Sequence, residues 1–220
     1  MISSAEAQKI SKQEHAYKVI KDMIIMNKLP ANIMLVEDTL SSMLNISRTP
    51  IRGALNSLVK EHLVTFYPGR GMFVSEVRIE NVIDIYEIRE LLDPLALKLY
   101  MQKNADSSFD ELQSHVAEMK NSLSNKDYTN FYSHDFAFHT HYINNTGNDH
   151  LGRILNMFID HTKRFFNLSY MDFENHERSY NDHMKILNAV KASNPIEAQK
   201  VLRQHLVKTK EYHIKNLTHN

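Results

Sequence analysis

Cysteine is missing from all 220 residues. Without it there is no disulfide framework and no thiolate ligand, so a bound metal would rest on imidazole and carboxylate. The same absence fits a chain that works in the cytoplasm. Chain breakers are scarce as well, with 5 glycines and 5 prolines, which favours long helices. No apolar run approaches the roughly 20 residues that span a bilayer, so no membrane partner is expected. The opening stretch, MISSAEAQKISKQEHAY, is polar and has no apolar core of a signal peptide. An excess of one charge is also absent: 26 Lys plus Arg face 26 Asp plus Glu. That balance gives no global signal for nucleic acid or membrane. Basic residues are slightly in excess through Glu76 and acidic ones after it, which suits a basic front end.

What the chain does have is histidine, 13 in all, and helical periodicity. Glu14 to Met26 places Tyr17, Ile20, Ile24 and Ile25 on one face, and Leu29-Pro30-Ala31 ends it. Glu37 to Leu44 reads as a second helix with Leu40, Met43 and Leu44 inward. After the Asn45-Ile46 turn, Ser47 is an N-cap for a third helix reaching about His62, with Pro50 tolerated in its first turn. LVTFY and MFVSE then read as strands around PGRG, where Gly69 and Gly71 supply the freedom of a tight hairpin. Met23, Met26, Met34 and Met43 read as core filler. From Arg78 onward the pattern is helical, with spans near 80–104, 108–124, 127–145, 149–169, 172–193 and 195–217. The expectation is a mainly α chain: a winged helix-turn-helix over 1–76 and an antiparallel bundle of about six helices over 77–220.

The third helix divides its faces. Ile51, Leu55, Leu58 and Val59 form an apolar stripe, while Arg48, Arg52 and Asn56, with Thr49 beside them, occupy another side. A recognition helix needs this division, because one stripe anchors it while guanidinium and amide groups reach base edges and phosphates. The helix start at Ser47 to Thr49 offers free amides to a phosphate. Arg70, between Gly69 and Gly71 at the hairpin tip, can reach a minor groove or a phosphate. A solvated amphipathic helix gives the same periodicity, and the hairpin that follows favours the DNA-binding reading.

In SHDFAFHTHY, Asp135 and His139 stand four apart on one helix face. His183 and His205 lie on later helices among apolar neighbours. Three helices facing a common centre can deliver one carboxylate and three imidazoles, a set suited to zinc, nickel, cobalt or iron(II). A buried hydrogen-bonded Asp–His pair is the alternative. His134 and His141 flank the motif off its face, and His62, His150, His176, His213 and His219 are expected to face solvent. Asn148 reads as a helix cap and Pro94 as an accommodated helix break.

SRTPIRGALNSLVKEHLVTFYPGRGMFVSEV resembles the signature of the GntR family of bacterial transcription regulators. It follows the pattern S-R-T-P-hydrophobic-R, then A-L, then L, then G-R-G-hydrophobic-F-V. The resemblance implies base and backbone contacts by Arg48, Thr49 and Arg52, with Arg70 and its glycines in the wing. Asp38 departs from the basic or polar residue common at its position, Gly53 from an acidic one and Ser41 from alanine.

The second half resembles the FCD effector domain of FadR-type members. DFAFH at 135–139 with NNTGNDHL after it, NDHMKILNAV at 181–190, QHL near the end and YEIRELLDPLAL carry the likeness, with Asp93 where Glu is commoner. Six helices point to the VanR-like branch. In many members the corresponding Asp and three His bind a metal in the effector cavity. The resemblance therefore implies a divalent ion, zinc or nickel first, on Asp135, His139, His183 and His205. Arg89 would clamp a small carboxylate bidentately, or else form a salt bridge with Glu90 or Asp93. Arg153, Arg164 and Tyr142 are further cavity residues to test. The expected function is a homodimeric, ligand-responsive repressor on a pseudo-palindromic operator, sensing a small organic acid. The alternatives are a repressor for which the ion is the signal, and a metal-dependent enzyme, for which no placed general base or lid loop is visible.

Overall fold

A computed structural model describes residues 11–104, 109–168 and 173–217. Two compact units divide between Val77 and Arg78. Among the described residues no helix is long and apolar enough to cross a membrane.

In the first unit, α1 (Lys12–Ile25) starts where the Ser11 hydroxyl accepts the Glu14 amide, one of the orphan donors of a helix start. Helix α2 (Glu37–Leu44) stops at Asn45, which turns into the left-handed region at φ 53°. Helix α3 (Arg48–Lys60) begins after Ser47, whose backbone is extended as at an N-cap but whose side chain makes no capping bond. Strands β1 (Val64–Tyr67) and β2 (Gly71–Val74) pair antiparallel, Val64 opposite Val74 and Tyr67 opposite Gly71. A bridge from Met34 to Phe73 adds the chain before α2 to the hairpin. Gly71 sits at φ +101°, where a side chain is strained, and this lets the hairpin close in so few residues.

Ala16, Ile20, Ile24, Leu40, Ile51, Leu55, Leu58, Val64 and Val74 make the core of this unit. The methionine reading fails here: Met26, Met34 and Met43 are 58%, 50% and 52% exposed. Helix α2 buries Leu40 fully and Leu44 partly, one turn apart. A helix of two turns presents only that narrow line inward, so Met43 lies beside it in solvent.

The second unit holds α4 (Ile79–Lys103), α5 (Asp110–Asn125), α6 (Tyr128–Asn144), α7 (Asp149–Leu168), α8 (Phe173–Lys191) and α9 (Pro195–Leu217). The joints follow local chemistry. The Asp127 carboxylate accepts the Asn130 amide at the start of α6, Asn148 accepts from Leu151 at α7, and Asn194 accepts from Glu197 at α9. Helix α4 packs chiefly on α9, α5 on α6, and α8 on α9.

Pro94 lies inside α4 without ending it. Proline has no N–H, so the Glu90 carbonyl one turn earlier loses its helical donor. The Arg203 guanidinium of α9 fills the gap, its Nε donating to that carbonyl at 3.1 Å.

Candidate metal and ligand centre

Helix α6 carries Asp135 and His139, α8 carries Ser179 and His183, and α9 carries His205. All five side chains are buried. One ring nitrogen from each of His139, His183 and His205 lies within 4.8 Å of the others. Asp135 Oδ1 stands 3.6 Å from His183 Nε2 and accepts the Ser179 hydroxyl at 2.9 Å.

The hydrogen bonds around these rings fix their tautomers. His183 Nδ1 faces the Ser179 carbonyl at 2.9 Å. A carbonyl only accepts, so Nδ1 carries the proton and Nε2 a lone pair. Tyr142 donates its hydroxyl to Asp93 Oδ2 at 3.2 Å, and the same oxygen lies 2.9 Å from His139 Nδ1. His139 Nδ1 is therefore the donor, and its Nε2 also holds a lone pair. These two Nε2 atoms meet at 3.2 Å. Two lone pairs at that distance, with no proton between them, call for a cation. His139 and His183 would hold a divalent ion through these two nitrogens, whose separation suits two imidazole ligands of one ion. The residues thus fit a divalent ion by their own donor chemistry, and Ser179 and Tyr142 orient the ligands as outer-shell partners do. Burial pushes the His139 pKa well down, and His183 and His205 push it further. Burial does the same to His205. Neutral rings are the form that coordinates.

The chain of hydrogen bonds runs on from Asp93. Its Oδ2 also accepts Arg89 Nη2 at 2.6 Å, while Arg89 Nη1 donates to Thr162 at 2.9 Å. Arg89 and Asp93 are 2% and 0% exposed. Burial opposes the charge on Arg89, but Asp93 holds its pKa above the ordinary arginine value. Arg89 Nε and Asp93 Oδ1 are buried without a hydrogen-bond partner, so polar capacity beside the imidazole cluster remains unused. The two readings of Arg89 are therefore compatible: it is salt-bridged to Asp93 and still has N–H groups to offer.

Other residues fall elsewhere. Arg164 is buried on α7, where burial lowers its pKa to about 10. Arg153 is exposed and meets His150 at 3.1 Å. His62 and His150 are exposed as expected, and His219 lies outside the described residues. His176 and His213 do not face solvent; they are 1% and 0% exposed. His176 stacks on Tyr128 at 4.2 Å and bonds the Tyr132 hydroxyl at 2.8 Å. His213 packs on Phe166 at 4.4 Å and near Tyr86. Sequence reasoning had a signal for the first: His176 is seven residues before His183, two helical turns away on the same face.

His213 gives a pH dependence. Burial, followed by Arg89 and Arg178, drives its pKa down to about 3, against about 6.5 in an unfolded chain. The native ring stays neutral while the unfolded one takes a proton below pH ~6.5. Stability is therefore full above that pH, and it falls by about 1.4 kcal/mol per pH unit on the way down from this residue alone. Urea unfolding of the metal-free protein between about pH 7 and 5 should show a shallower loss in His213→Phe than in the wild type; equal slopes would contradict this account.

On α3, Ile51, Leu55 and Leu58 are buried, while Arg48, Thr49, Arg52 and Asn56 are exposed together with Ser47. Gly69 and Arg70 are exposed at the hairpin tip beside the half-buried Gly71. The Arg70 guanidinium lies over the Tyr67 and Phe73 rings at 5.7 and 5.9 Å. Two of the basic residues are already paired. Arg48 holds Asp38, and Arg52 grips Glu37 with two bonds of 2.7 and 2.8 Å. At Gly53 a Cβ would sit 2.6 Å from the end of the exposed Gln13 side chain of α1, which can swing aside, so the packing does not by itself require glycine there.

Comparison with known proteins gives a consistent picture. The gntR family of bacterial regulatory proteins matches over residues 12–74 and the FCD domain over residues 84–208. The HTH-type transcriptional regulator YdhC of Bacillus subtilis is 24% identical over 204 residues, 92% of this chain and 89% of its own. The gluconate operon transcriptional repressor of Bacillus licheniformis is 24% identical over 187 residues, 83% of this chain and 76% of its own. Among solved structures, McbR/YncC of E. coli superposes with a TM-score of 0.80 at 17% identity, covering 94% of this chain and 99% of that one.

Proposed function

Because the chain belongs to the GntR family of bacterial regulatory proteins and carries that family's FCD domain, we propose that it is a repressor whose hold on operator DNA answers to a small organic acid. That it is a DNA-binding transcription regulator and not an enzyme follows from the family. The finer reading rests on one observation: the hydrogen-bonded chain that joins the imidazole cluster to the buried Arg89–Asp93 pair.

In this reading His139, His183, His205 and Asp135 hold a divalent ion, zinc or nickel. When bound, the ion supplies a positive centre that attracts an oxygen anion. Arg89 turns its remaining N–H groups to the ligand's carboxylate, Thr162 and Asp93 fix the guanidinium plane, and the surrounding bundle excludes water. The ligand shifts the protein between DNA-binding and released states only as far as it prefers one of them. On the DNA side, Arg48, Thr49, Arg52 and Asn56 enter the major groove, Ser47 caps a phosphate, and Arg70 between Gly69 and Gly71 lies at the backbone or minor groove. A homodimer would set two such helices on a pseudo-palindromic site. The regulatory proteins named above include a repressor of a gluconate operon, which suits a sugar-acid class of ligand.

Binding of a labelled duplex from upstream of the chain's own gene tests this. Chelator-treated, zinc-loaded and nickel-loaded protein are titrated with and without a panel of sugar acids and hydroxy acids. Release by one acid class, only in loaded protein, is expected. Release by metal alone would make the ion the signal, and no effect of either would remove the sensor reading while leaving the DNA-binding one.

A further inference from the structure

Outside the centre just described, three more imidazoles gather between α5 and α6. His134 and His141 are seven residues apart and so share a face of α6. At about 100° per residue, that face is turned by 100° or more from the one that carries Asp135 and His139. His115 of α5 lies opposite them. Its Nδ1 stands 3.2 Å from His134 Nδ1, and its ring centre is 6.4 Å from that of His141. The Tyr100 hydroxyl lies 3.2 Å from His141 Nε2. All three rings are half-buried.

We propose that His115 and His134 form a second divalent-ion site, taking a borderline ion such as zinc, nickel or copper(II) and joining α5 to α6. The separation of the two nitrogens is the first argument. At 3.2 Å it equals that of the facing His139 and His183 nitrogens, and two imidazoles bound to one ion at about 2.05 Å stand this far apart. Accessibility is the second. The pair is only half-buried, unlike the enclosed rings of the first centre. The third is ligand supply. Glu111 lies one turn before His115 on α5; a carboxylate and water complete such a site as readily as a third ring. Burial lowers the pKa of His115, which favours the neutral ring that coordinates. The site is independent of the effector reading, since it uses none of those residues.

A hydrogen bond with one shared proton fits the same distance, so the test must count metal. Untagged full-length protein is stripped with chelator, dialysed against micromolar zinc or nickel, and analysed for metal per chain. The wild type should take up two equivalents and His115→Gln/His134→Gln one. The complementary His139→Ala/His183→Ala protein should keep the other equivalent. Loaded with copper(II), it should show an electron paramagnetic resonance spectrum split by imidazole nitrogen. Glutamine preserves hydrogen bonding, and matched melting curves in chelator show that the fold is intact. Equal uptake by the wild type and His115→Gln/His134→Gln would overturn the proposal. So would a copper spectrum without nitrogen splitting in the complementary variant. Should that variant not fold, the first comparison decides alone.

Discussion

Replacing Arg89 with alanine should destabilise the protein by about 3–5 kcal/mol, the cost of stranding a buried charge. Asp93 is wholly buried and its Oδ2 takes the guanidinium at 2.6 Å. Without Arg89 that carboxylate keeps, among the described residues, only the Tyr142 hydroxyl as a hydrogen-bond donor. The companion variant separates two roles. Arg89→Met/Asp93→Asn removes both charges, fills similar volume and keeps an acceptor for Tyr142, so most of the lost stability should return. Replacing a buried ion pair by neutral groups is often close to neutral. If Arg89 also clamps the ligand, the double variant will fold and bind operator DNA but fail to respond to the acid. Denaturant titration reads the first effect and ligand-dependent DNA binding the second. A double variant that responds normally would reduce Arg89 to a structural residue.

His183→Ala should weaken zinc or nickel binding roughly 100-fold or more, since loss even of an outer-shell partner costs 10–100-fold. The ring supplies the Nε2 that faces His139 Nε2 at 3.2 Å, beside Asp135 Oδ1. Chelator competition gives the affinity. Thermal melting gives an independent reading, because an ion that binds only the folded state raises the midpoint by mass action. Added metal should raise the melting temperature of the wild type far more than that of the variant. Ser179→Ala, which removes a hydroxyl bonded to Asp135 but no ligand, should lie between the two. Equal midpoint shifts in the wild type and His183→Ala would place the ion elsewhere.

Much of this architecture is written in local signals. The six helices of the second unit begin and end within about three residues of the spans expected from periodicity, because Asp127, Asn148 and Asn194 cap them from their own neighbourhoods. The hairpin follows from two glycines, while the gathering of His139, His183 and His205 was implied chiefly by the resemblance to the FCD domain, with the apolar neighbours of His183 and His205 in agreement. What escaped is set by tertiary packing. His176 and His213 read as polar surface, yet aromatic neighbours from other helices enclose them. Met26, Met34 and Met43 read as filler, yet the first unit already has aliphatic side chains enough for its core. The pairs Arg48–Asp38 and Arg52–Glu37 depend on how α2 meets α3, which no periodicity encodes. The Asp93 partnership of Arg89 was visible as an i, i+4 pair, but the Thr162 bond from α7 was not.

The seam between α4 and α9, where Arg203 reaches the carbonyl that Pro94 leaves bare, has a consequence for biosynthesis. The ribosome delivers α4 well before α9, so the most extensive helix pairing of this unit closes across four intervening helices. Contacts of such long range are slow to form, and partly built intermediates expose apolar surface meanwhile. His205 travels on the same late helix. The nascent bundle therefore waits, its imidazole cluster one ring short, until the closing helix docks.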